Sequence, residues 1–350
     1  MRHYKEHLII SGTSIREALI VLDKLAKDAI SFVVDEDDKL LGSLTDGDVR
    51  RGLINGAQLN QPVEDIIQSN PRYLRKGDQD IEKVIQFREG NFKVIPILDK
   101  DDRIVNVINF GVLKSYLPVD VVVMAGGKGT RLRPLTEKTP KPLLKVGDKP
   151  ILEHNLHRLS LYGMDDFWIT VNYLGEQIES HFGNGNHKNL NINYVWEDEP
   201  LGTIGSVSRI TDFIHDYVLV TNSDILTGLD YEDFFLKFKH EEADFAVVTI
   251  PYKVDIPYAV LETSNGHVMS FKEKPTYTYY SNGGIYLMKR EITDRIPKNA
   301  FFDTTDLMEN LIEDGKKVIS YPLNGYWLDI GKPEDFEKAQ EDINRLNIFK

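Results

Sequence analysis

Val119-Asp120-Val121-Val122-Val123-Met124 runs straight into Ala125-Gly126-Gly127-Lys128-Gly129-Thr130-Arg131-Leu132-Arg133-Pro134-Leu135-Thr136. The first six residues are apolar except for Asp120, the pattern of a strand buried on both faces. Three glycines then fall within four positions. Such a loop lets backbone N–H groups converge on an anion and lets a flat base approach the main chain. Two familiar loops are excluded. A Walker A loop needs Lys followed by Ser or Thr, but Lys128 precedes Gly129. A dinucleotide G-x-G-x-x-G fails because Leu132 stands where the third glycine belongs.

Further segments follow in order. Pro140-Lys141-Pro142-Leu143-Leu144 precedes Lys149-Pro150-Ile151-Leu152-Glu153. Glu197-Asp198-Glu199-Pro200-Leu201-Gly202-Thr203 comes next. Tyr217 to Thr221 reads as a central strand ending in Asn222-Ser223-Asp224, and an acid at the carboxyl end of a parallel strand lies where α/β sheets bind ligands. Phe271-Lys272-Glu273-Lys274-Pro275, Asn282-Gly283-Gly284 and Trp327-Leu328-Asp329-Ile330-Gly331 complete the series. His154 and His157 have no third ligand at metal spacing and read as packing or surface residues.

Together these segments resemble the sugar-1-phosphate nucleotidyltransferases, the sugar-nucleotide pyrophosphorylases, over residues 119–350. The resemblance implies an α/β fold with a Rossmann-like mixed sheet. It implies nucleotide binding by Ala125, Gly126, Gly127, Gly129, Thr130, Gly202 and Thr203. It gives Arg131 to the leaving phosphates and Lys141 to the α-phosphate and the incoming sugar phosphate. Glu273, Lys274, Asn282 and Gly283 would hold the sugar phosphate, and Asp224 and Asp329 would hold Mg2+. Two carboxylates with phosphate oxygens and waters suit that hard cation.

The first 118 residues hold an internal repeat. A helical pattern from Ile15 to Ala26, a strand from Ile30 to Val34 and a strand from Leu40 to Leu44 recur 64 residues later, so that Asp35 maps to Asp99 and Thr45 to Asn109. One such unit is too small to bury both faces, so a packed pair is expected. The repeat resembles a tandem CBS-domain pair of βαββα units over 1–118. That resemblance implies an adenine nucleotide at Gly42, Thr45 and Asp48. In the second repeat Asn109 and Val112 replace the threonine and aspartate, so a single regulatory site is expected.

Composition narrows the rest. The 350 residues suit two domains and carry no cysteine, which removes disulfides, thiolate metal sites and cysteine nucleophiles. The net charge is −13, with −2 over 1–118 and −11 over 119–350, so a nucleic-acid partner is not expected. Only Leu8 to Ile10 are continuously apolar near the start, too few for a leader, and no run is long enough for a membrane span. A cytoplasmic homo-oligomer is expected.

The implied reaction joins an NTP and a sugar 1-phosphate, giving an NDP-sugar and pyrophosphate. CBS fusion resembles the glucosamine-1-phosphate guanylyltransferases of legionaminic acid synthesis, with GTP as the favoured nucleotide. Mannose- and heptose-1-phosphate guanylyltransferases and glucose-1-phosphate thymidylyltransferase are the alternatives. The competing class is a non-catalytic regulator that senses nucleotide or sugar. A degenerate relative of that kind should have lost Arg131, Lys141 or an acid, and this chain keeps them all.

Overall fold

The computed structural model describes residues 4–77 and 80–346. Its first part contains two units of one topology. The first unit has strands β1 (Leu8–Ile10), β2 (Ile30–Val34) and β3 (Leu40–Thr45) with helices α1 (Ile15–Leu25) and α2 (Asp46–Ile54). The second has β4 (Leu74–Arg75), helix α3 (Ile81–Glu89), β5 (Val94–Leu98) and β6 (Ile104–Asn109). In each, the first pairing is parallel and the second antiparallel.

The repeat is visible in single bonds. Asp35 Oδ1 accepts from the N–H groups of Asp37 and Lys39, and Asp99 Oδ1 from those of Asp101 and Arg103. The two turns then clasp each other: Leu40 N–H donates to Asp102 O and Ile104 N–H to Asp38 O. Phe32 and Val34 pack with Val94, Leu98 and Ile104, so the units bury one another's apolar faces. The repeats differ at their ends. α2 follows β3, but no helix follows β6. There Asn109 Oδ1 accepts from Gly111 N–H and closes a turn. The chain then crosses to the larger part, where Lys114 and Leu117 N–H groups donate to Leu161 O and Tyr162 O.

The larger part begins with β7 (Val119–Met124), β8 (Lys145–Val146), β9 (Lys149–Pro150), β10 (Asp166–Val171), β11 (Asn191–Trp196) and β12 (Tyr217–Asn222). It continues with β13 (Ile225–Thr227), β14 (Phe245–Asp255), β15 (Val260–Ser264), β16 (His267–Lys272), β17 (Thr276–Lys289), β18 (Val318–Pro322) and β19 (Trp327–Asp329). Its helices are α4 (Ile151–Ser160), α5 (Gly175–Phe182), α6 (Tyr231–His240), α7 (Thr304–Glu313) and α8 (Pro333–Arg345).

A seven-stranded sheet runs in the order β11-β10-β7-β12-β17-β14-β18, and β17 alone is antiparallel to its neighbours. This is the expected mixed α/β sheet. β7 lies near its middle, which explains its unbroken apolar run. Val121 and Val123 face one core with Ile169 and Leu219; Val122 faces the other with Val220 and Met288. β14 and β17 extend beyond the sheet as a ribbon paired from Pro251–Tyr280 to Asp255–Thr276. Tyr252, Tyr279 and Tyr280 on this arm, and Phe271 on the β15–β16 hairpin, are exposed. No helix among the described residues is long and apolar enough to cross a membrane.

Candidate active site

β7 and β12 are parallel neighbours in register, with Met124 opposite Asn222, so both chains leave the sheet at one edge. The glycine loop follows the first and Ser223-Asp224 the second. A cleft of about 350 Å³ opens between them. It takes in all seven residues expected to bind nucleotide (Ala125, Gly126, Gly127, Gly129, Thr130, Gly202 and Thr203), together with Arg131, Lys141 and Asp224.

The loop is shaped by its neighbours. Gly129 has φ +58°, and a Cβ there would lie 3.0 Å from Thr136 Cγ2 and 3.2 Å from Lys141 Cβ. Thr136 Oγ1 donates to Gly129 O at 2.8 Å and fastens the turn. Larger residues therefore fail at Gly129 for both conformation and space. Gly126 backs onto Glu197, whose Oε1 would lie 3.3 Å from an added Cβ.

The two predicted acids are brought together by a small antiparallel pairing. β13 and β19 place Ile225 opposite Asp329, and Ile330 N–H donates to Asp224 O at 3.0 Å. Lys141 forms an ion pair with Asp224 Oδ2, while the buried Asp224 Oδ1 has no hydrogen-bond partner among the described residues. Burial, with the Asp224 charge beside it, raises the Asp329 carboxyl above its ordinary value; Lys141 and Arg131 oppose that rise. A Cβ on Gly331 would lie 3.5 Å from Asp329 Oδ2 and 3.6 Å from Arg131 Nη1, so the guanidinium borders the acids. Two carboxylates held against their own repulsion, one with an orphaned oxygen, fit a hard divalent cation. Bound there, such an ion would offset charge on a phosphate and polarise it.

Glu197 closes the other side of the cleft. It directly follows β11 and is buried. Its Oε1 accepts from Ser206 Oγ at 2.6 Å and its Oε2 from Leu201 N–H at 3.3 Å. Asn172 Nδ2 holds its backbone carbonyl at 2.6 Å. Sequence reasoning placed Glu197 in the segment that carries the expected nucleotide-binding residues Gly202 and Thr203 but did not single it out. The available signal was an acid at the end of a strand, opening a run of three acids that ends at a proline. Gly202 has φ +79°, and a Cβ there would lie 2.5 Å from Phe302 O. Thr203 N–H and Oγ1 donate to Asp303 Oδ1 at 2.9 and 3.0 Å, which ties this segment to the start of α7.

The sugar-side residues are split. Asn282 Oδ1 accepts from Gly284 N–H, and Gly283 O accepts from Trp327 Nε1, both at 2.9 Å. A Cβ on Gly284 would lie 2.7 Å from Asn222 Nδ2, so this turn abuts the cleft edge. Glu273 and Lys274 instead follow β16 on the exposed arm and are not among the residues lining the cleft. His154 is a packing residue, with Nε2 2.8 Å from Val146 O.

In the N-terminal part, Thr45 caps α2 in a reciprocal box with Asp48. Asp48 Oδ2 accepts from Thr45 N–H at 2.9 Å and from its Oγ1 at 2.6 Å, and Asp48 Oδ1 accepts from Arg51 at 2.6 Å. A Cβ on Gly42 would lie 2.7 Å from Ile67 Cδ1 and 2.8 Å from Gln68 O, because the segment pairing Gln68 with Ser43 lies across it. The geometry accounts for all three residues without a ligand.

A glycine loop, two clustered acids and a flanking Lys and Arg at the carboxyl edge of a mixed sheet form a candidate site for a nucleotide and a cation. The chain belongs to the nucleotidyl transferase family, whose model, described as "Nucleotidyl transferase", matches residues 120–345. A CBS domain model matches residues 9–55, the first of the two N-terminal units. The chain is 34% identical over 235 residues to a mannose-1-phosphate guanylyltransferase of Mycobacterium tuberculosis, covering 65% of each chain. It is 30% identical to a D-glycero-alpha-D-manno-heptose 1-phosphate guanylyltransferase of Aneurinibacillus thermoaerophilus, covering 64% of this chain and 98% of that one. The solved HddC from Yersinia pseudotuberculosis complexed with GMP-PN superposes with a TM-score of 0.50 at 27% identity, over 64% of this chain and 99% of that one. The match spans less than two-thirds of the length of the first curated relatives, 65% and 61% for the first two.

Proposed function

We propose that this chain transfers GMP from GTP to a sugar 1-phosphate, releasing pyrophosphate, with Mg2+ between Asp224 and Asp329. The observation that carries the transfer is the convergence of the glycine loop, Arg131, Lys141 and Asp224 on one cleft, with Asp329 brought beside Asp224 by the β13–β19 pairing. Both substrates are phosphates that repel each other, so charge stabilisation and alignment are what the protein must supply. Arg131 faces the leaving β,γ-phosphates. Lys141 exchanges its Asp224 partner for the α-phosphate and the acceptor phosphate. A phosphate oxygen is already ionised at neutral pH, so no general base is required. Glu273 and Lys274 reach the sugar phosphate when the arm folds over the cleft.

Glu197 supports guanine. A carboxylate is an acceptor only, and guanine presents two adjacent donors, N1–H and N2–H, on its Watson–Crick edge. Uracil and thymine present one N–H between two carbonyls, which a carboxylate repels. Glucosamine 1-phosphate is the proposed acceptor, with mannose and heptose 1-phosphates as the competing arms of the test. The N-terminal pair is proposed as a docked structural module, since Thr45 and Arg51 already occupy Asp48. Pyrophosphate release is measured for five NTPs against a sugar 1-phosphate panel. Turnover with GTP supports the reading; turnover only with UTP or dTTP refutes the base, and none with any pair refutes the activity.

A further inference from the structure

A second polar cluster lies at the opposite, amino-terminal end of the parallel strands. Asp120 is in β7, Asp166 opens β10, and His215 stands two residues before β12. All three are buried, at 0%, 2% and 3% exposure. One ligand atom from each lies within 4.8 Å of the other two. His215 N–H donates to Asp120 Oδ2 at 2.7 Å, and His215 Nε2 lies 3.5 Å from Asp166 Oδ2. Asp120 Oδ1 and His215 Nδ1 are buried with no hydrogen-bond partner among the described residues. Orphaned acceptors this deep are costly unless something satisfies them.

Charge is also out of balance. Asp165, half-buried, adds a third carboxylate, which accepts from Asn106 Nδ2 at 2.6 Å and Tyr116 Oη at 3.2 Å. Among the described residues the lysine paired with the cluster is Lys76, from the N-terminal part, 3.0 Å from Asp166. Lys76 and Asp165 also line a small polar cavity of about 150 Å³ with Asn106 and Asn191, so Lys76 has room to withdraw from Asp166.

We propose that Asp120, Asp166 and His215 bind a divalent transition-metal ion at this junction, distinct from the cation at Asp224 and Asp329. The donor set names the class. Two carboxylates with one imidazole suit Zn2+ or Mn2+, whereas Mg2+ prefers oxygen alone. The ion supplies the missing positive charge and a partner for the orphaned atoms. Because it competes with Lys76 for Asp166, its occupancy is linked to the ion pair that holds the N-terminal part to the sheet.

The full chain, stripped with a chelator and returned to saturating Mg2+ so that the catalytic acids are occupied, is titrated with Zn2+. A parallel titration with Co2+ reads the visible absorption of a nitrogen-ligated site. One equivalent of Zn2+ is expected. His215→Gln should weaken it at least about tenfold. Lys76→Met, which removes the competing ammonium, should tighten it about tenfold or more and make the melting temperature zinc-dependent. Asp329→Asn should leave it unchanged. No zinc binding at 100-fold excess overturns the proposal. So does binding indifferent to both His215→Gln and Lys76→Met, or binding lost in Asp329→Asn. The Lys76→Met arm decides the matter should His215→Gln fail to fold. Because every readout is metal binding or melting, failure here leaves the proposed transfer reaction untouched.

Discussion

Glu197→Gln is the most informative single change. It is nearly isosteric, so the contacts around the cleft survive, but it converts an anionic pair of acceptors into one acceptor and one donor. In the structure Oε1 accepts from Ser206 Oγ and Oε2 from Leu201 N–H; the amide oxygen can keep the Leu201 bond while its NH2 donates to the Ser206 hydroxyl, which turns to accept. Towards guanine it faces a donor with a donor. Losing one charge-assisted bond is worth about 1.5–3 kcal/mol. That converts to a fall of about 10- to 150-fold in kcat/KM for GTP. UTP behaves oppositely, because its single N–H flanked by carbonyls suits an amide. The quantity to measure is the ratio of kcat/KM for GTP to that for UTP, by pyrophosphate release at fixed sugar 1-phosphate. It should fall by at least about tenfold. Ser206→Ala is the control: it removes the neighbour of Oε1 and leaves the carboxylate, so activity changes while the ratio holds. An active Glu197→Gln enzyme with the wild-type ratio would refute the assignment of Glu197 to the base.

Three further outcomes are expected. Asp224→Asn and Asp329→Asn should each lower turnover at least about a hundredfold with melting nearly unchanged, and wild-type turnover in Asp329→Asn at limiting Mg2+ would remove that acid from the site. Arg131→Ala should lower kcat more than it raises the KM for sugar 1-phosphate, because the leaving pyrophosphate gains charge in the transition state; a rise in KM alone would move Arg131 to the acceptor side. Asp48→Ala should destabilise the chain by about 1 kcal/mol through loss of the α2 cap, read by denaturant melting, and calorimetry with AMP should give the same trace as wild type. A weaker AMP trace in the variant would restore the regulatory nucleotide site.

Much of this was legible because the decisive signals are local. The apolar run of β7 reports burial on both faces, and the three glycines after it report close backbone approach. The 64-residue repeat survives down to paired Asx turns at Asp35 and Asp99. What sequence left open depends on contacts far apart in the chain. Gly42, Thr45 and Asp48 have the spacing of a ribose site, yet the same Thr-x-x-Asp spacing is a capping box, and only the structure shows that Asp48 caps α2 and pairs with Arg51 while Gln68 lies across Gly42. Glu273 and Lys274 belong to a contiguous motif, but the arm that carries them stands away from the cleft. The cluster of Asp120, Asp166 and His215 was invisible because its members come from three strands or their approaches, 46 and 49 residues apart along the chain.

The placement of the two polar centres constrains how the N-terminal part can influence the cleft. β7, β10 and β12 each carry one end of both. β7 runs from Asp120 to the glycine loop, β10 from Asp166 to Thr170 at the cleft wall, and β12 from just beyond His215 to Asn222 and Asp224. Lys76 on Asp166 and Arg88 on Glu232, the latter through two bonds of 2.9 Å, are two charged fastenings of the N-terminal part to the larger one. A packed sheet does not stretch, so a change at these contacts reaches the cleft only as a rigid shift of a strand or of a flanking helix. Influence from the N-terminal part therefore requires that the Lys76 and Arg88 contacts have two arrangements, each favouring a different strand position. Breaking them singly tests this. Lys76→Met and Arg88→Met should alter kcat together if these contacts are coupled to the cleft. Loss of stability with unchanged kcat in both would make the module a support and nothing more.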